Sequence, residues 1–470
     1  MKNGYTTIMR VVMKLLVRIQ AGLLVAVAAG FFAALPAYGG SLDLSTAYQK
    51  ALEYDAQIRS AKADAKISKE EIGKAMAEFR PRVSISGARG RNETLSTTPY
   101  YAGTYLHNDQ FYNSINYGFT VQQPLFNMSS IAQYKQAKAV AAKSDNQLLN
   151  EESNLILRIT EAYCNVLYAE DNYEFSQSHI KASLEQLQQT KRRFEKGFGT
   201  ITEVSEAQAA YDMALAEGVE IVNNLEYSRR ELERMAGVYP DKLCKLVPEK
   251  IILDRPNPDK VESWIALARS DSHEIAAARQ EVQIAQRELQ KQGGSRYPSI
   301  SLVGSRNYSE SDNNYTIGSA YDTYSISLQA SMQLYSGGYV SAAVRQATAR
   351  RLKAQEQLSW QERGVESNVR KYFNGVVSSI SQITAYEQAV KSGEVALKGT
   401  KKGFEVGLRT NMEVLDADQK LLSNRRNLAK SRYQYILSRL QLKDSAGTLG
   451  AGDVEEVNGW MRGKSVGSGQ

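Results

Sequence analysis

Residue types that carry catalytic or metal-binding chemistry are scarce in this chain. Its 470 residues include 2 cysteines and 3 histidines. The histidines, His107, His179 and His273, lack the spacing of metal ligands, and the sequence contains neither a Ser/His/Asp candidate nor a G-x-G-x-x-G or phosphate-binding loop. We therefore expect no metal site, no cofactor and no enzyme activity.

Proline is also scarce, and its placement divides the chain. None of the 9 prolines lies between Leu125 and Tyr239 or after Pro298. Because a proline inside a helix costs about 3 kcal/mol, these proline-free spans are where long helices can form. A cluster of prolines in residues 240–258 separates two halves of the chain.

Acidic residues are absent from the first 40 positions. Four basic residues come first: Lys2, Arg10, Lys14 and Arg18. An apolar stretch, residues 21–35, follows and ends in small residues, which is typical of a secretory signal peptide, predicted here as residues 1–40. A membrane anchor is the alternative, but a spanning helix needs about 20 apolar residues. Removal of the signal lowers the formal net charge from +7 to +3, so the charge does not indicate nucleic-acid binding.

One motif occurs twice. Residues 194–207, FEKGFGTITEVSEA, recur 210 positions later as residues 404–417, FEVGLRTNMEVLDA. Gly197 and Gly199 in the first copy, and Gly407 in the second, break the helical pattern and permit a reversal of the chain. Around each motif the pattern is helical, then two alternating strands, then very long helical, a turn, and helical again. The sequence predicts a duplicated helix-strand-strand-helix unit.

The predicted boundaries follow from these patterns. The first repeat is residues 41–239, the Pro-rich segment between the repeats is 240–258, the second repeat is 259–446, and a flexible C-terminal tail is 447–470. The predicted helices are 44–79, 126–195 and 200–235 in the first repeat, and 259–291, 340–405 and 410–442 in the second. The predicted strands are 82–90, 112–123, 299–308 and 322–334.

Apolar residues in the two long helices step by alternating fours and threes. Examples are Leu155, Ile159, Ala162 and Val166, and Val365, Val369, Tyr372 and Val376. This step predicts coiled-coil packing rather than the wider stripe of an ordinary core helix. A helix of residues 126–195 would be roughly 100 Å long. It is too long for a soluble core and too polar for lipid, so we expect it to stand in water within a bundle or tube.

The predicted strands carry apolar residues on one face and uncharged polar residues on the other. The apolar positions are Ile115, Tyr117, Phe119 and Val121, and Tyr324, Ile326, Leu328 and Ala330. Strands between lipid and a water-filled lumen need this alternation. A soluble hairpin shows it too, so both alternatives stay open at this point. Four strands cannot close a barrel, and an open edge is not tolerated in lipid, so the membrane hypothesis requires several chains in one barrel.

Export would place Cys164 and Cys244 in an oxidising compartment, where a disulfide is allowed. Two cysteines cannot form a disulfide framework. Counted back from the predicted helical turn at about 1.5 Å per residue, the two lie at similar heights, so height alone excludes no bond. We predict two thiols rather than a disulfide.

Together these features resemble the TolC family of outer membrane efflux proteins. The resemblance rests on the secretion signal, the duplicated unit, Pro81 and Pro298 before strands, Pro124-Leu125-Phe126 before a long helix, the Gly-Leu-Arg-Thr-x-x-Glu-Val-Leu-Asp-Ala motif of residues 407–417, and Gly447-Thr448-Leu449 near the end. It covers essentially the whole mature chain. It implies a mixed α+β membrane protein: a homotrimer with a twelve-stranded β-barrel in the bacterial outer membrane, continued by a long periplasmic α-helical coiled-coil barrel, with residues 240–258 in a belt around the tube.

The resemblance also implies a function. Such a trimer is the exit duct for an inner-membrane ABC or other efflux transporter, joined to it by a periplasmic adaptor, and its surroundings are outer membrane lipid rather than nucleic acid. Residues 44–81 and the stretch after Asp416 are most similar to the type I secretion branch. The cargo stays open. The alternatives are an exported coiled-coil scaffold and a periplasmic adaptor, although the sequence shows no lipoyl-like or barrel module.

Candidate functional residues lie in the second copy of the motif. Glu413 and Asp416 are three apart at a helix start, so their carboxylates point the same way. Alone, they would complement the helix dipole, worth about 0.3–1 kcal/mol. The resemblance implies two rings of three carboxylates at a periplasmic gate, although family members have two aspartates there. It also implies that Arg409, beside Thr410, ties this hairpin to its neighbour, with Glu203 as acceptor.

Overall fold

The computed structural model describes residues 41–312 and 319–461. The predicted signal peptide lies outside the described residues. The chain divides into a short unit, Met1–Leu42, and a main unit, Asp43–Gln470, which contains the helices and strands of the described residues.

The main unit repeats one order of elements. The helices are α1 Leu44–Tyr54, α2 Ala56–Ala77, α3 Met128–Glu195, α4 Ile201–Ala236, α5 Val261–Asp271, α6 His273–Gly294, α7 Tyr339–Glu405, α8 Asn411–Ser445 and α9 Ala451–Met461. The strands are β1 Arg82–Pro99, β2 Tyr105–Phe126, β3 Ser299–Ser311 and β4 Ser319–Ser331. The second repeat therefore reproduces the helix-helix-strand-strand-helix-helix order of the first.

The two long helices, α3 and α7, have 68 and 67 residues, which makes each about 100 Å long. α3 packs against α4, and α7 against α8, so each repeat contains a long helical hairpin. α3 also packs against α2 and α6. The residues that step by fours and threes are mostly buried, among them Leu155, Ile159, Val365 and Val369, which is the narrow seam that coiled-coil packing requires.

The predictions of single helices over 44–79 and 259–291 are wrong. Asp55 separates α1 from α2, and Ser272 separates α5 from α6. Asp55 has an extended ψ of 124°, and its carboxylate accepts hydrogen bonds from the N–H groups of Gln57 and Ile58 at 2.9 and 3.0 Å. An Asp in this geometry starts a new helix rather than continuing the old one. Arg158 of α3 also donates to the Asp55 carboxylate, so the kink is fixed against the long hairpin.

The four strands form one antiparallel sheet in the order β1-β2-β3-β4. β1 and β2 are longer than the predicted 82–90 and 112–123, because their ladder continues to the pair of Pro99 and Tyr105 through polar residues that show no alternation. β4 begins earlier and ends at Ser331 rather than at 334. The reason for the early end is that β3 begins at Ser299, directly opposite Ser331, so the next residues have no neighbouring strand in the chain.

The two faces of the sheet differ in polarity. Apolar side chains on one face are exposed in the single chain, including Ile85 at 81% and Ile326 at 83%. The opposite face carries uncharged polar residues such as Ser84, Thr120 and Ser325, as the alternation predicts. Within residues 41–312 and 319–461, no helix is both long enough and apolar enough to cross a membrane.

The prediction of a flexible tail over residues 447–470 is wrong for the part that forms helix α9, Ala451–Met461. Helix α9 buries Val454, Val457 and Trp460, and the Trp460 ring lies 6.5 Å from that of Tyr435 in α8. Asn458 is 4% exposed. Its side-chain carbonyl accepts from the Leu44 N–H at 3.1 Å, and its amide donates to Asp43 at 3.1 Å. α9 therefore joins the two ends of the described chain. Residues 462–470 lie outside the described residues.

Both cysteines are thiols in the structure, as predicted. Cys164 is fully buried in α3, and burial raises the pKa of its thiol to about 12, so it is not a reactive thiolate at neutral pH. Cys244 is only half-buried. The hydroxyl of Tyr163 donates to the Cys244 carbonyl at 3.1 Å and accepts from its N–H at 3.0 Å, which places the two cysteines at a similar height.

We predict that Asn458→Ala destabilises the protein by about 1–3 kcal/mol, because it leaves the buried Leu44 N–H and the Asp43 carboxylate without this partner. Thermal unfolding followed by circular dichroism measures the change. Gly459→Ala is the matched control, since Gly459 is exposed in the same helix and an added Cβ would meet nothing within 4 Å. Equal unfolding temperatures for Asn458→Ala and the parent would contradict a structural role for α9.

Candidate gate at the helical tips

Each long hairpin reverses at a glycine in the left-handed region. Gly197 has a φ of 78° and Gly407 a φ of 80°. Backbone hydrogen bonds close both turns: Phe198 N–H donates to the Arg193 carbonyl at 2.9 Å, and Leu408 N–H donates to the Gly403 carbonyl at 2.8 Å. A side chain at either glycine would be strained, so glycine at both positions preserves the sharp tip. Gly199 has no such φ.

The helix that leaves each tip begins with the same capping box. In the first hairpin, Thr200 accepts from the Glu203 N–H at 3.2 Å, and the Glu203 carboxylate accepts from the Thr200 N–H at 3.1 Å. In the second, the matching Thr410 and Glu413 bonds are 3.3 and 2.7 Å. Glu203 and Glu413 therefore have the same local role. Each takes part in a capping box that gives partners to N–H groups which the start of a helix leaves unpaired.

Glu413 has a further partner that Glu203 lacks in the described part of the chain. The Arg409 guanidinium donates to the Glu413 carboxylate at 2.6 Å. The Thr410 N–H and then Arg409 lower the pKa of the Glu413 carboxyl below its usual value, so Glu413 stays ionised through the neutral range. The ionised Glu413 carboxylate therefore stabilises the folded protein at pH values above the usual pKa of the group. This stabilisation is lost as the pH falls through the lowered pKa.

The partner of Arg409 within the chain differs from the expected one. Within the chain, Arg409 contacts Glu413 of its own hairpin and not Glu203 of the neighbouring one. The reason is local geometry, because Arg409 and Glu413 are four residues apart across the helix start, while the Glu203 carboxylate is held by Thr200. The pair is largely exposed, so solvent screens it and it contributes little to stability. A contact between Arg409 and Glu203 of a neighbouring chain stays a prediction.

Asp416 lies one turn beyond Glu413. Its side chain is exposed, and it makes no hydrogen bond or ion pair with residues 41–312 or 319–461. The structure thus brings Arg409, Thr410 and Glu413 into one cluster and places the unpaired Asp416 next to it. Two adjacent carboxylates at a helix end, one of them unpartnered within the chain, form a local negative charge that can attract cations.

Arg193 makes the contact between tips that the sequence led us to expect of Arg409. Its guanidinium lies 4.5 Å from the ring centre of Phe404, which is 2% exposed. It donates to the carbonyl of Phe404, at the end of α7, and to that of Glu405 at 3.5 Å. A cation here satisfies carbonyls that the helix end leaves free and complements its dipole. Sequence reasoning missed Arg193. The signal that could have found it is the difference between the two copies of the motif, since the second copy has Gly403 at the equivalent position.

Buried polar side chains add a second set of contacts between the hairpins. Asn411 is fully buried, and its carbonyl accepts from the Gln186 amide at 2.7 Å. Its amide donates to the Glu203 carbonyl at 3.4 Å. Farther from the tip, His179 Nδ1 lies 2.6 Å from the Asp418 carboxylate. Near the tips, polar contacts therefore join α3 and α8 beside buried apolar side chains such as Leu187 and Val414.

The chain is similar to known proteins over most of its length. The family model of the outer membrane efflux protein matches residues 47–238 and 264–448. The alkaline protease secretion protein AprF of Pseudomonas aeruginosa is 32% identical over 419 residues, which are 89% of this chain and 87% of that protein. The outer membrane protein TolC of Vibrio cholerae is 32% identical over 423 residues, 89% of this chain and 94% of that protein.

A solved structure also has this fold. The outer membrane protein VceC of Vibrio cholerae superposes with a TM-score of 0.71 and 20% sequence identity. The match covers 86% of this chain and 96% of that one. At this identity the likeness shows the fold alone.

We predict that Arg193→Ala loosens the tips. Loss of hydrogen bonds from a charged donor costs about 1–3 kcal/mol, so amides of residues 404–409 should exchange hydrogen about 5- to 100-fold faster. Hydrogen–deuterium exchange with mass spectrometry measures this. Arg192→Ala is the control because Arg192 is exposed beside it. Arg409→Ser should change exchange less, since its contact lies within one hairpin. A larger effect from Arg409→Ser than from Arg193→Ala would overturn this assignment.

Proposed function

The chain belongs to the outer membrane efflux protein family, and we propose that three copies of it together form one export channel. It is an outer membrane channel that extends into the periplasm. In the proposed trimer, the three four-stranded sheets form a twelve-stranded barrel, and the long hairpins continue it as a helical tube. An inner-membrane transporter and a periplasmic adaptor are its proposed partners.

One observation carries the assembly of several copies into one barrel. The sheet order β1-β2-β3-β4 leaves β1 and β4 as two open edges, while the apolar face of the sheet is exposed in the single chain. Unpaired backbone groups at such edges are too costly in lipid, so the sheet must close with other copies. Twelve strands give the even number found in bacterial outer membrane barrels. A monomer that is extracted without detergent would instead support an exported scaffold.

We propose that the tips of the second hairpins form the gate. In a threefold assembly, Glu413 and Asp416 become two rings of three carboxylates around the axis. Rings of acidic residues favour cations and disfavour anions in other pores. Glu413 keeps its charge because Thr410 and Arg409 stabilise the carboxylate, and Asp416 is exposed for contact with ions. The polar contacts of Arg193 and Asn411 support the closed arrangement.

The double variant Glu413→Gln with Asp416→Asn tests the gate in planar bilayers. Amide side chains remove both charges, while a glutamine in place of Glu413 can still complete the capping box. We expect cation selectivity to approach neutrality and half-block by divalent cations on the periplasmic side to require at least about tenfold more ion. Glu206→Gln, at the position in the first hairpin that matches Asp416, should leave both properties unchanged.

Unchanged selectivity and divalent block in the double variant would mean that these carboxylates only start a helix. Failure of the parent to form channels at all would contradict the proposed pore itself. The two results are therefore distinguishable in the same recordings.

We further propose that the cargo is protein, exported through a type I system with an ABC transporter and an adaptor. The support is the similarity to the alkaline protease secretion protein, which spans most of both chains. In a deletion strain we expect at least one protein to disappear from the culture medium and accumulate inside the cell. Quantitative proteomics of both fractions measures this, and complementation should restore export. A strain that secretes normally but becomes sensitive to small toxic compounds would favour drug efflux.

A further inference from the structure

The apolar face of the sheet ends in a band of aromatic and charged side chains. Residues directly opposite each other on neighbouring antiparallel strands lie on the same face, so the register gives rows that cross all four strands. Three successive rows on this face, in order of distance from the helices, are Val83, Val121, Gly304 and Ile326; Ile85, Phe119, Arg306 and Tyr324; and Gly87, Tyr117, Tyr308 and Asp322. The first row is wholly apolar, and charge first appears in the second.

This band lies on the side of the membrane that faces the cell exterior. The long helices join the sheet at one end only, where β1 and β3 begin and β2 and β4 end. The channel extends into the periplasm from that end, so the band is near the other. A lipid-facing arginine is costly at the bilayer midplane and costs little at the interfaces, where aromatic residues also gather. The rings of Tyr117 and Tyr308, stacked 4.6 Å apart, fit such a boundary.

The arginines of the band differ in their partners. Arg306 donates two hydrogen bonds to the Asp322 carboxylate, at 2.8 and 3.0 Å. Arg89 lies opposite Ile115 on the same face, and Arg91 is the next residue of β1 on that face, about 7 Å farther along. Both are exposed, and neither makes a hydrogen bond or an ion pair within the described part of the chain. Arg89 and Arg91 therefore present two unpaired guanidinium groups towards lipid.

Acidic residues of the band leave these two charges uncompensated. Glu93 follows Arg91 on the same face of β1 but forms no ion pair in the described residues. Glu310 accepts a hydrogen bond from the Tyr308 hydroxyl at 2.9 Å, and Asp322 is held by Arg306. On this face, β1 and β2 carry two arginines and one glutamate over residues 83–93 and 111–121. That part of the band has an excess of positive charge, which favours an anion.

An apolar groove lies below the charged band. Gly304 has no side chain between Val121 and Ile326, and the space above it forms a shallow groove of about 620 Å³. Phe119 and Tyr324 also line this groove. Its walls are mostly apolar and it opens on the lipid-facing side, so it suits an acyl chain better than a polar ligand. The same surface thus combines a place for acyl chains with a place for anions.

We propose that Arg89 and Arg91 bind the phosphate groups of lipopolysaccharide, the phosphorylated glycolipid of the outer leaflet. A guanidinium group binds phosphate through two parallel hydrogen bonds. The position of the band favours the outer leaflet, and two adjacent arginines suit a head group with more than one phosphate. Closure of the barrel uses the edges of the sheet and not its faces, so both side chains still face lipid in the assembled channel. The inference rests on the proposed barrel and names a lipid that surrounds it.

The double variant Arg89→Gln with Arg91→Gln tests the site in the full-length channel, purified in mild detergent and stripped of lipid. The matched control is Arg80→Gln with Arg296→Gln, because these two exposed arginines lie at the helix end of the sheet and removing them lowers the charge equally. The probes are purified lipopolysaccharide, the same material after chemical removal of its phosphates, and phosphatidylglycerol. Microscale thermophoresis measures the concentration that gives half-saturation.

We expect the double variant to need at least about tenfold more lipopolysaccharide than the parent, because each arginine supplies charge-assisted hydrogen bonds. The control should bind like the parent. The parent should bind the dephosphorylated material as weakly as the double variant binds lipopolysaccharide. This last comparison uses the parent alone, so it does not depend on how the variants fold. Light scattering checks that each variant keeps the parent's number of chains.

Equal binding of lipopolysaccharide by the parent and the double variant, or equal loss in the control, would overturn the site. Unchanged binding of the dephosphorylated material by the parent would overturn the role of phosphate. Equally tight, arginine-dependent binding of phosphatidylglycerol would overturn the assignment to lipopolysaccharide. None of these results touches the proposed channel, which fails only if the parent forms no pores in planar bilayers.

Discussion

Every backbone N–H and C=O group that enters lipid must find a partner within the protein, and the structure of this chain depends on that constraint. The ladder of β1 to β4 satisfies its internal strands and leaves two edges unpaired. Because the sheet cannot be completed within one chain, the interface between copies is part of the fold itself. The helices need no such partner for their backbone, since each helix satisfies its own interior groups. α3 and α7 therefore need no neighbour to satisfy their interior backbone groups, whereas the two edges of the sheet need one where they enter lipid.

Buried polar side chains take part in the packing near the helical tips. The middle of α3 buries apolar residues such as Leu155, Ile159 and Val166, whereas the tip region buries Gln186, Thr190 and Asn411 beside apolar Leu187 and Val414. Buried apolar side chains contribute in proportion to their area, and each polar contact contributes only about 0.5–1.5 kcal/mol net. Opening of the proposed gate would therefore break polar as well as apolar contacts at the tips, and it would leave the packing in the middle of the tube in place.

The sequence predicted the elements with strong periodicity and missed those decided by single contacts. The long helices, their glycine turns and the alternating parts of the strands follow from spacing alone. The break at Asp55 depends on one carboxylate that caps α2 and accepts from Arg158, a residue about 100 positions away. α9 is short and was missed because its docking depends on Asn458 and on contacts with distant elements. Among the candidate site residues, the capping role of Glu413 was predictable, while the partner of Arg409 was not.

Duplication explains why the two tips can have different roles. Both retain the glycine and the capping box, so both keep the same backbone geometry. They differ at two structurally decisive positions, where the first repeat has Arg193 and Gly199 and the second has Gly403 and Arg409. Arg193 reaches across to the end of α7, whereas Gly403 leaves room for the side chain of Arg409, which packs over it. The first hairpin thus supplies the Arg193 contact that holds the second tip, and the second hairpin carries the carboxylates of Glu413 and Asp416. In the proposed trimer, a motion of the second tip would move Glu413 and Asp416 and break the contacts of Arg193 at the same time, which would couple the charge at the axis to the closure of the tips through a single pair of hairpins.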